Sequence, residues 1–168
     1  MKNTSYISIG SNLGNRNDNI DSAIKLIVLD PSIEILNTSP KYETDPLPTT
    51  ADQNRYLNCV LEISTDFDPK TLLNFLNEIE VSLGRPENHD RWSERTIDLD
   101  IVFFNDEIID EPDLKIPHHG AAKRIFVLKP ICDISPSLVH PTLNKTVKEL
   151  LDEIILSGNT LSIKRKAD

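Results

Sequence analysis

The chain has 168 residues, 38% of them hydrophobic, enough to build one domain over 1–168 around its own core. Its 27 acidic residues outweigh 18 basic ones and leave a formal charge of −9, which argues against a protein that coats nucleic acid and leaves room only for a local basic pocket. No apolar run approaches the roughly 18 residues of a membrane span, and the polar start Met1-Lys2-Asn3-Thr4-Ser5 lacks the apolar centre of a signal peptide, so a cytoplasmic protein is expected.

Residues 6–11 alternate apolar and small side chains and predict a strand. Asn12-Leu13-Gly14-Asn15 breaks the pattern, and Ile20, Ala23, Ile24, Ile27 and Val28 then recur at helical spacing. Asp30-Pro31 ends that helix, because proline disfavours helical geometry at the residue before it. Residues 33–43 read as a second strand. A turn-rich segment over 44–54 is long for a simple connection and marks a functional loop. Residues 56–65 read as a third strand. Asp68-Pro69 opens a second helix, with Leu72, Leu73, Leu76, Ile79, Glu80 and Leu83 recurring along it and Gly84 as its stop. A charged loop over 85–95 leads to a fourth strand, Ile97 to Phe104. This β-α-β-β-α-β order predicts a ferredoxin-like α+β fold, an antiparallel sheet with helices on one face. A C-terminal extension follows: turns at Pro112 and Pro117, a short helix or turn near 121–129, an amphipathic helix around 146–156, and a solvated tail at Lys164-Arg165-Lys166. Cys59 and Cys132 lie far apart without His or Cys at metal spacing, so free thiols are expected.

The chemistry concentrates in the run from Arg91 to Phe104. Strand alternation points Asp98 and Asp100 the same way while Ile97, Leu99 and Ile101 point the other. Two like charges side by side call for a cation between them, a shared proton, or full solvation. Aspartate is depleted in strands, yet both open an otherwise apolar one beside Arg91, Trp92 and Arg95, which favours a hard cation such as Mg²⁺, Mn²⁺ or Ca²⁺. Arg85, Arg91 and Arg95, with Lys123-Arg124 as a second basic pair, either grip phosphate oxygens bidentately or pair with Glu87, Asp90 and Glu94. His118 and His119 lack a third ligand at zinc spacing, so a hydrogen bond to phosphate or backbone suits them better. Tyr56 and Asn58 share one side of the third strand, as a stacking face and an amide for a flat heterocycle, or as ordinary packing.

Taken together, Ile9-Gly10-Ser11-Asn12-Leu13-Gly14, the Tyr42-Glu43-Thr44-Asp45-Pro46-Leu47 turn, Tyr56-Leu57-Asn58, Arg91-Trp92-Ser93-Glu94-Arg95-Thr96-Ile97-Asp98-Leu99-Asp100, Ile116-Pro117-His118 and Arg124-Ile125-Phe126 resemble the 6-hydroxymethyl-7,8-dihydropterin pyrophosphokinases of folate biosynthesis. The resemblance covers nearly the whole chain. It implies pyrophosphate transfer from ATP to the pterin hydroxymethyl group, with release of AMP. By it, Asp98 and Asp100 hold two Mg²⁺ ions bound with ATP, and Arg85 and Arg95 stabilise phosphate charge. Arg91, Trp92, His118 and Arg124 line the ATP side, and Asn77, Glu80, Ile101 and Lys115 fall at nucleotide positions. Tyr56 and Phe126 sandwich the pterin, Asn58 reads its polar edge, and Thr44, Asp45 and Leu47 add backbone contacts. Glu87, Asn88, Ser93, Glu94 and Asp113 depart from the family pattern and weaken the local positive field. ATP and the pterin are the expected partners, with no nucleic acid or membrane and a monomeric chain. Two rivals exist: a nucleotide-sugar transferase using the Asp-x-Asp pair, and a ferredoxin-like sensor domain for which neither aspartate is needed.

Overall fold

The computed structural model describes residues 1–46, 52–84, 94–158 and 162–167. In chain order the elements are β1 (Asn3–Ser11), α1 (Arg16–Leu29), β2 (Ile33–Thr38), β3 (Tyr42–Thr44), β4 (Tyr56–Thr65), α2 (Pro69–Ser82), β5 (Asp98–Phe104), β6 (Ile109–Asp110), β7 (Lys115–Ile116), α3 (Ile125–Ile134), α4 (Val147–Leu156) and β8 (Ile163–Arg165). The main sheet is antiparallel and runs β5-β1-β4-β3-β8, with β2 paired to the other half of β4. Without β8 this is the predicted ferredoxin-like sheet.

Alternation along the central strands decides what each face buries. Ile7 and Ile9 of β1, Leu57, Cys59, Leu61 and Ile63 of β4, and Leu99 and Ile101 of β5 turn to one face. There Ile20, Ala23 and Ile27 of α1 and Leu72, Leu76 and Ile79 of α2 cover them. Local signals set the helix ends. The Asn15 side chain accepts from Asp18 N–H to start α1, Asp68 accepts from Thr71 N–H to start α2 with Pro69 in its first turn, and Thr146 with Glu149 forms a capping box on α4. Gly84 takes φ +96°, the left-handed conformation that closes α2 and that glycine adopts without a Cβ penalty.

The other face is also covered, in part. Tyr6, Val60, Val102 and Phe103 pack against Val127, Leu128 and Ile131 of α3 and Val147, Leu150 and Leu151 of α4. A register shift where β5 passes Tyr6 and Ile7 turns both Val102 and Phe103 to this side. Helices thus flank the sheet on both faces, where the sequence pattern predicts one. The Tyr6 hydroxyl, bonded to Glu62 at 2.8 Å and Ser135 at 2.9 Å, and the Tyr42 hydroxyl, donating to Asp133, anchor α3 to the sheet. The half of this face that α3 and α4 leave open carries Ser8, Gly10, Tyr56, Asn58, Asp98 and Asp100.

Three other expectations are corrected. The strand over 33–43 is two strands divided at Ser39-Pro40: Pro40 has no N–H to donate, and Ser39 occupies β4 by giving its N–H to Val60 O (2.9 Å) and accepting Val60 N–H on its hydroxyl (2.8 Å). The short helix or turn near 121–129 is a turn over 121–123 followed by a helix that reaches further than expected, over 125–134 and through Pro130. The tail Lys164-Arg165-Lys166 is an edge strand with a closing bond, since β8 pairs with β3 and Lys166 N–H donates to Lys41 O at 2.9 Å. Cys59 and Cys132 are free thiols, and burial pushes the Cys59 pKa up to about 12.

Candidate active site

On the open half-face, three strands place one residue each in a single row: Asp98 pairs with Gly10, and Gly10 with Asn58. Asp100, Ser8 and Val60 form the next row. Strand spacing of about 4.8 Å sets the Asp98 and Asn58 positions about 10 Å apart, with Gly10 between them. A Cβ on Gly10 would lie 2.8 Å from Asn58 Oδ1 and 3.5 Å from Tyr56 Cδ1, so glycine keeps this floor open.

The acidic end is held from several sides. Arg95 Nη1 bonds Asp98 Oδ1 at 3.1 Å. The Arg95 main chain is clamped by buried Asn12, whose Oδ1 accepts Arg95 N–H (2.8 Å) and whose N–H donates to Arg95 O (3.1 Å). Glu80, 5% exposed on α2, accepts the N–H of Leu99 at 2.6 Å and so braces β5 between its two aspartates. His118 N–H donates to Val102 O at 2.9 Å, and its Nδ1 accepts the Gly120 N–H at 3.0 Å. The proton of the neutral ring therefore belongs on Nε2, which faces Asp100 Oδ2 at 4.0 Å. Burial, helped by His119 and Arg124 and opposed by Asp98, pulls the His118 pKa down to about 4. The imidazole is neutral at working pH.

At the opposite end Asn58 Nδ2 donates to Thr44 Oγ1 at 2.7 Å, and both residues are buried. Tyr56 and Phe126 supply aromatic surface. Arg124 folds across Gly120, where a Cβ would stand 2.5 Å from Arg124 Cδ. Its guanidinium lies 5.8 Å from the Phe126 ring centre, with Nη2 3.2 Å from His119 Nε2.

The sequence-predicted residues fall into two adjoining cavities. The first, about 240 Å³, is lined by Thr44, Asp45, Tyr56, Asn58, Arg95, Asp98, Asp100, His118, Arg124 and Phe126 among others. The second, about 560 Å³, begins at Asp100, His118 and His119 and runs between α2 and β7 past Asn77, Glu80, Ile101 and Lys115. Asp113 also lines it, and Lys115 pairs with Asp110. Lys123, expected to act with Arg124, is exposed and lines neither cavity. Leu47, Arg85, Arg91 and Trp92 lie outside the described residues. The structure adds Ser8, Gly10, Gln53 and Val102 to the linings and Asn12 behind Arg95, and it places His119, a candidate beside His118, in both linings. Of these, Gly10 had a sequence signal, because a glycine inside a strand marks close approach.

Among the described residues no group of three or more His, Cys, Asp or Glu side chains is placed to cage a metal. The same-face pair Asp98 and Asp100 is nonetheless the donor set that Mg²⁺ takes in phosphoryl-transfer sites, where one or two carboxylates are completed by phosphate oxygens and water. Fold and site together define a class: ferredoxin-like α+β proteins with a two-compartment cleft, one compartment acidic and arginine-braced, the other an aromatic-amide slot.

Similarity to known proteins shows which family of that class the chain belongs to. The profile described as 7,8-dihydro-6-hydroxymethylpterin-pyrophosphokinase (HPPK) matches residues 6–136, and the chain belongs to that family. It is 39% identical over 136 residues to the 2-amino-4-hydroxy-6-hydroxymethyldihydropteridine pyrophosphokinase of Pseudomonas aeruginosa, covering 81% of this chain and 83% of that one. Identity to the enzyme of the same name from Haemophilus influenzae is 36% over 159 residues, covering 93% and 98%. The folic acid synthesis protein of Dictyostelium discoideum is 38% identical over 161 residues, which cover 96% of this chain and 24% of that protein, so the chain spans about a quarter of that longer relative. A crystal structure of Plasmodium falciparum HPPK-DHPS shares the fold, with TM-score 0.75 and 18% identity over 95% of this chain and 47% of that one.

Proposed function

We propose that this chain transfers pyrophosphate from ATP to the hydroxymethyl group of 6-hydroxymethyl-7,8-dihydropterin, releasing AMP, as a step of folate biosynthesis. The observation that carries the reading is the row Asp98-Gly10-Asn58. It sets Asp98, with Asp100 in the next row, and the Asn58 amide on one floor about 10 Å apart, a separation that an extended phosphate chain bridges.

In the reaction the pterin hydroxyl oxygen bonds to the β-phosphorus, the bond from that phosphorus to the α–β bridging oxygen breaks, and the hydroxyl proton is released. Asn58, with its amide fixed by Thr44, reads the polar edge of the pterin, while Tyr56 and Phe126 hold its faces. Asn77, Glu80, Ile101 and Lys115 line the compartment for the nucleoside. Arg95 and Arg124, always charged, take phosphate oxygens and stabilise the charge that shifts toward the bridging oxygen. Neutral His118 donates from Nε2 at the junction of the two compartments. Asp98 and Asp100 would hold two Mg²⁺ ions, which when bound neutralise the triphosphate and polarise the transferred group. Arg85, Arg91 and Trp92 join the ATP side and Leu47 the pterin side by their place in the family motif. Positioning and charge stabilisation account for the catalysis, with no covalent step on the protein.

We further infer one pyrophosphokinase domain over 1–168, acting as a cytoplasmic monomer. Among the described residues no helix is long and apolar enough to cross a membrane. The test of function is chromatography of the nucleotide products. AMP that forms only when pterin and Mg²⁺ are both present supports the reading; ADP, or AMP formed without pterin, overturns it.

A further inference from the structure

A network of charged and polar side chains that the proposed reaction does not engage lies at the corner where β3, β4 and β8 meet. Asp45 follows the last residue of β3 and lines the first cavity. Its Oδ1 pairs with Arg55 Nε at 3.1 Å, and its Oδ2 accepts the Ser162 N–H at 3.2 Å. Arg55 closes the ring by donating from Nη2 to Ser162 Oγ at 3.1 Å. Both ends of the β3–β4 connection are therefore tied to a segment more than a hundred residues away, the residue before β8.

The ring stands directly behind the slot. Arg55 precedes Tyr56, and Asp45 follows Thr44, whose hydroxyl holds the Asn58 amide. Beyond it β8 pairs with β3 residue for residue, Ile163 opposite Thr44, Lys164 opposite Glu43 and Arg165 opposite Tyr42. On the α1 side, Arg16 secures the same strand, with Nη2 on Glu43 Oε1 at 2.6 Å and Nη1 on the Arg55 carbonyl at 2.8 Å. None of the ring residues except Asp45 lines either cavity, and the nucleotide compartment lies at the opposite edge of the main sheet, along β5, with β7 of the two-stranded sheet beside it.

We propose that Arg55, Asp45 and Ser162 form a clasp through which the C-terminal strand positions the pterin slot, making Arg55 and Ser162 specificity-supporting positioning residues for the pterin and not for ATP. The clasp holds the Thr44–Asp45 backbone and the Tyr56 ring at fixed separation, so the slot is already formed when the flat ligand arrives. Preorganisation of this kind improves affinity by lowering the ordering cost of binding. The assignment of the slot to the pterin rests on the function proposed above, and the experiment separates the two claims.

Steady-state kinetics of the full chain are measured for Arg55→Met, which keeps the aliphatic stem, for Ser162→Ala, and for Arg55→Lys, with thermal unfolding in parallel. The expected result for Arg55→Met is a KM for the pterin raised about three- to tenfold, as suits a half-exposed charged network, with kcat and the KM for ATP unchanged. Ser162→Ala has a smaller effect in the same direction, and Arg55→Lys restores part of the loss by keeping the charge near Asp45. An unchanged pterin KM in both Arg55→Met and Ser162→Ala overturns the clasp. So does a parallel rise of both KM values, which is the mark of a merely structural role. If Arg55→Met fails to fold, Ser162→Ala decides alone. A wild-type chain that forms no AMP with the pterin refutes the function itself, an outcome distinct from either of these.

Discussion

Gly10→Ala is a one-carbon perturbation aimed at the floor of the site. The backbone at Gly10 is not in the left-handed region, so any residue fits its conformation and the effect is purely steric. The new Cβ would stand 2.8 Å from Asn58 Oδ1, 0.6 Å inside the 3.4 Å at which ordinary contact begins. Asn58 has little room to retreat, being 5% exposed and bonded through Nδ2 to Thr44 Oγ1 at 2.7 Å. Breaking that bond leaves buried polar groups unpaired, and keeping it forces the strands apart. Either route costs about 1–3 kcal/mol. The part expressed in binding lowers kcat/KM for the pterin about ten- to a hundredfold, since 1.4 kcal/mol is a factor of ten. Gly10 does not line the second cavity, so the KM for ATP is expected to stay as it was. The assay is AMP release with each substrate varied in turn, alongside thermal unfolding. A folded Gly10→Ala enzyme with native kcat/KM for the pterin would refute the placement of Asn58 as reader of the pterin edge.

Asp98→Asn and Asp100→Asn should each lower kcat by at least about a hundredfold, because each removes a carboxylate from the Mg²⁺ donor set while leaving the fold intact; a Mg²⁺ titration that restores either variant to native turnover contradicts the metal assignment. The low His118 pKa makes the stability of the fold depend on pH. The unfolded chain binds a proton at this residue near pH 6.5 and the folded chain only near 4, so this contribution is full above about pH 6.5 and is lost as pH falls toward 4. His118→Gln should flatten that part of the stability profile, and an imidazole NMR titration of the ligand-free protein should place its midpoint near 4; a midpoint near the ordinary histidine value contradicts the burial argument. Leu57→Ala, at a fully buried position between β4 and the α1–α2 layer, should cost about 2–5 kcal/mol in urea unfolding. A loss of only a few tenths would mean that this face is not the principal core.

How much of this was legible in the sequence depended on which force shaped each segment. β4 matches its sequence bounds, 56–65, because Leu57, Cys59, Leu61 and Ile63 alternate without interruption over a fully covered face. Asp98 and Asp100 were legible for the same reason of parity. The division at Ser39-Pro40 was not, since a serine side chain there does the work of a strand backbone, and no periodicity encodes that. The short helix or turn expected near 121–129 stops before Pro130, whereas α3 continues to Ile134; a buried proline is tolerated there because α3 is held by the core on both sides of it. β8 carries only one half-buried apolar residue, Ile163, followed by Lys164 and Arg165, the charged composition by which edge strands avoid further pairing. Its partner strand is more than a hundred residues away. The two cavities, the brace from Glu80 and the clamp from Asn12 are likewise tertiary facts: the cavities join strand, helix and loop residues far apart in sequence, and Glu80 and Asn12 read locally as helix and turn.

In the proposed reaction two phosphoryl groups move together onto the pterin. ³¹P NMR of the pterin product, formed with MgATP and 6-hydroxymethyl-7,8-dihydropterin, tests it most directly. Transfer of an intact pyrophosphate gives a pair of coupled phosphorus resonances on the pterin with AMP as the only nucleotide product. A single uncoupled phosphorus resonance on the pterin, with ADP as the nucleotide, would contradict it.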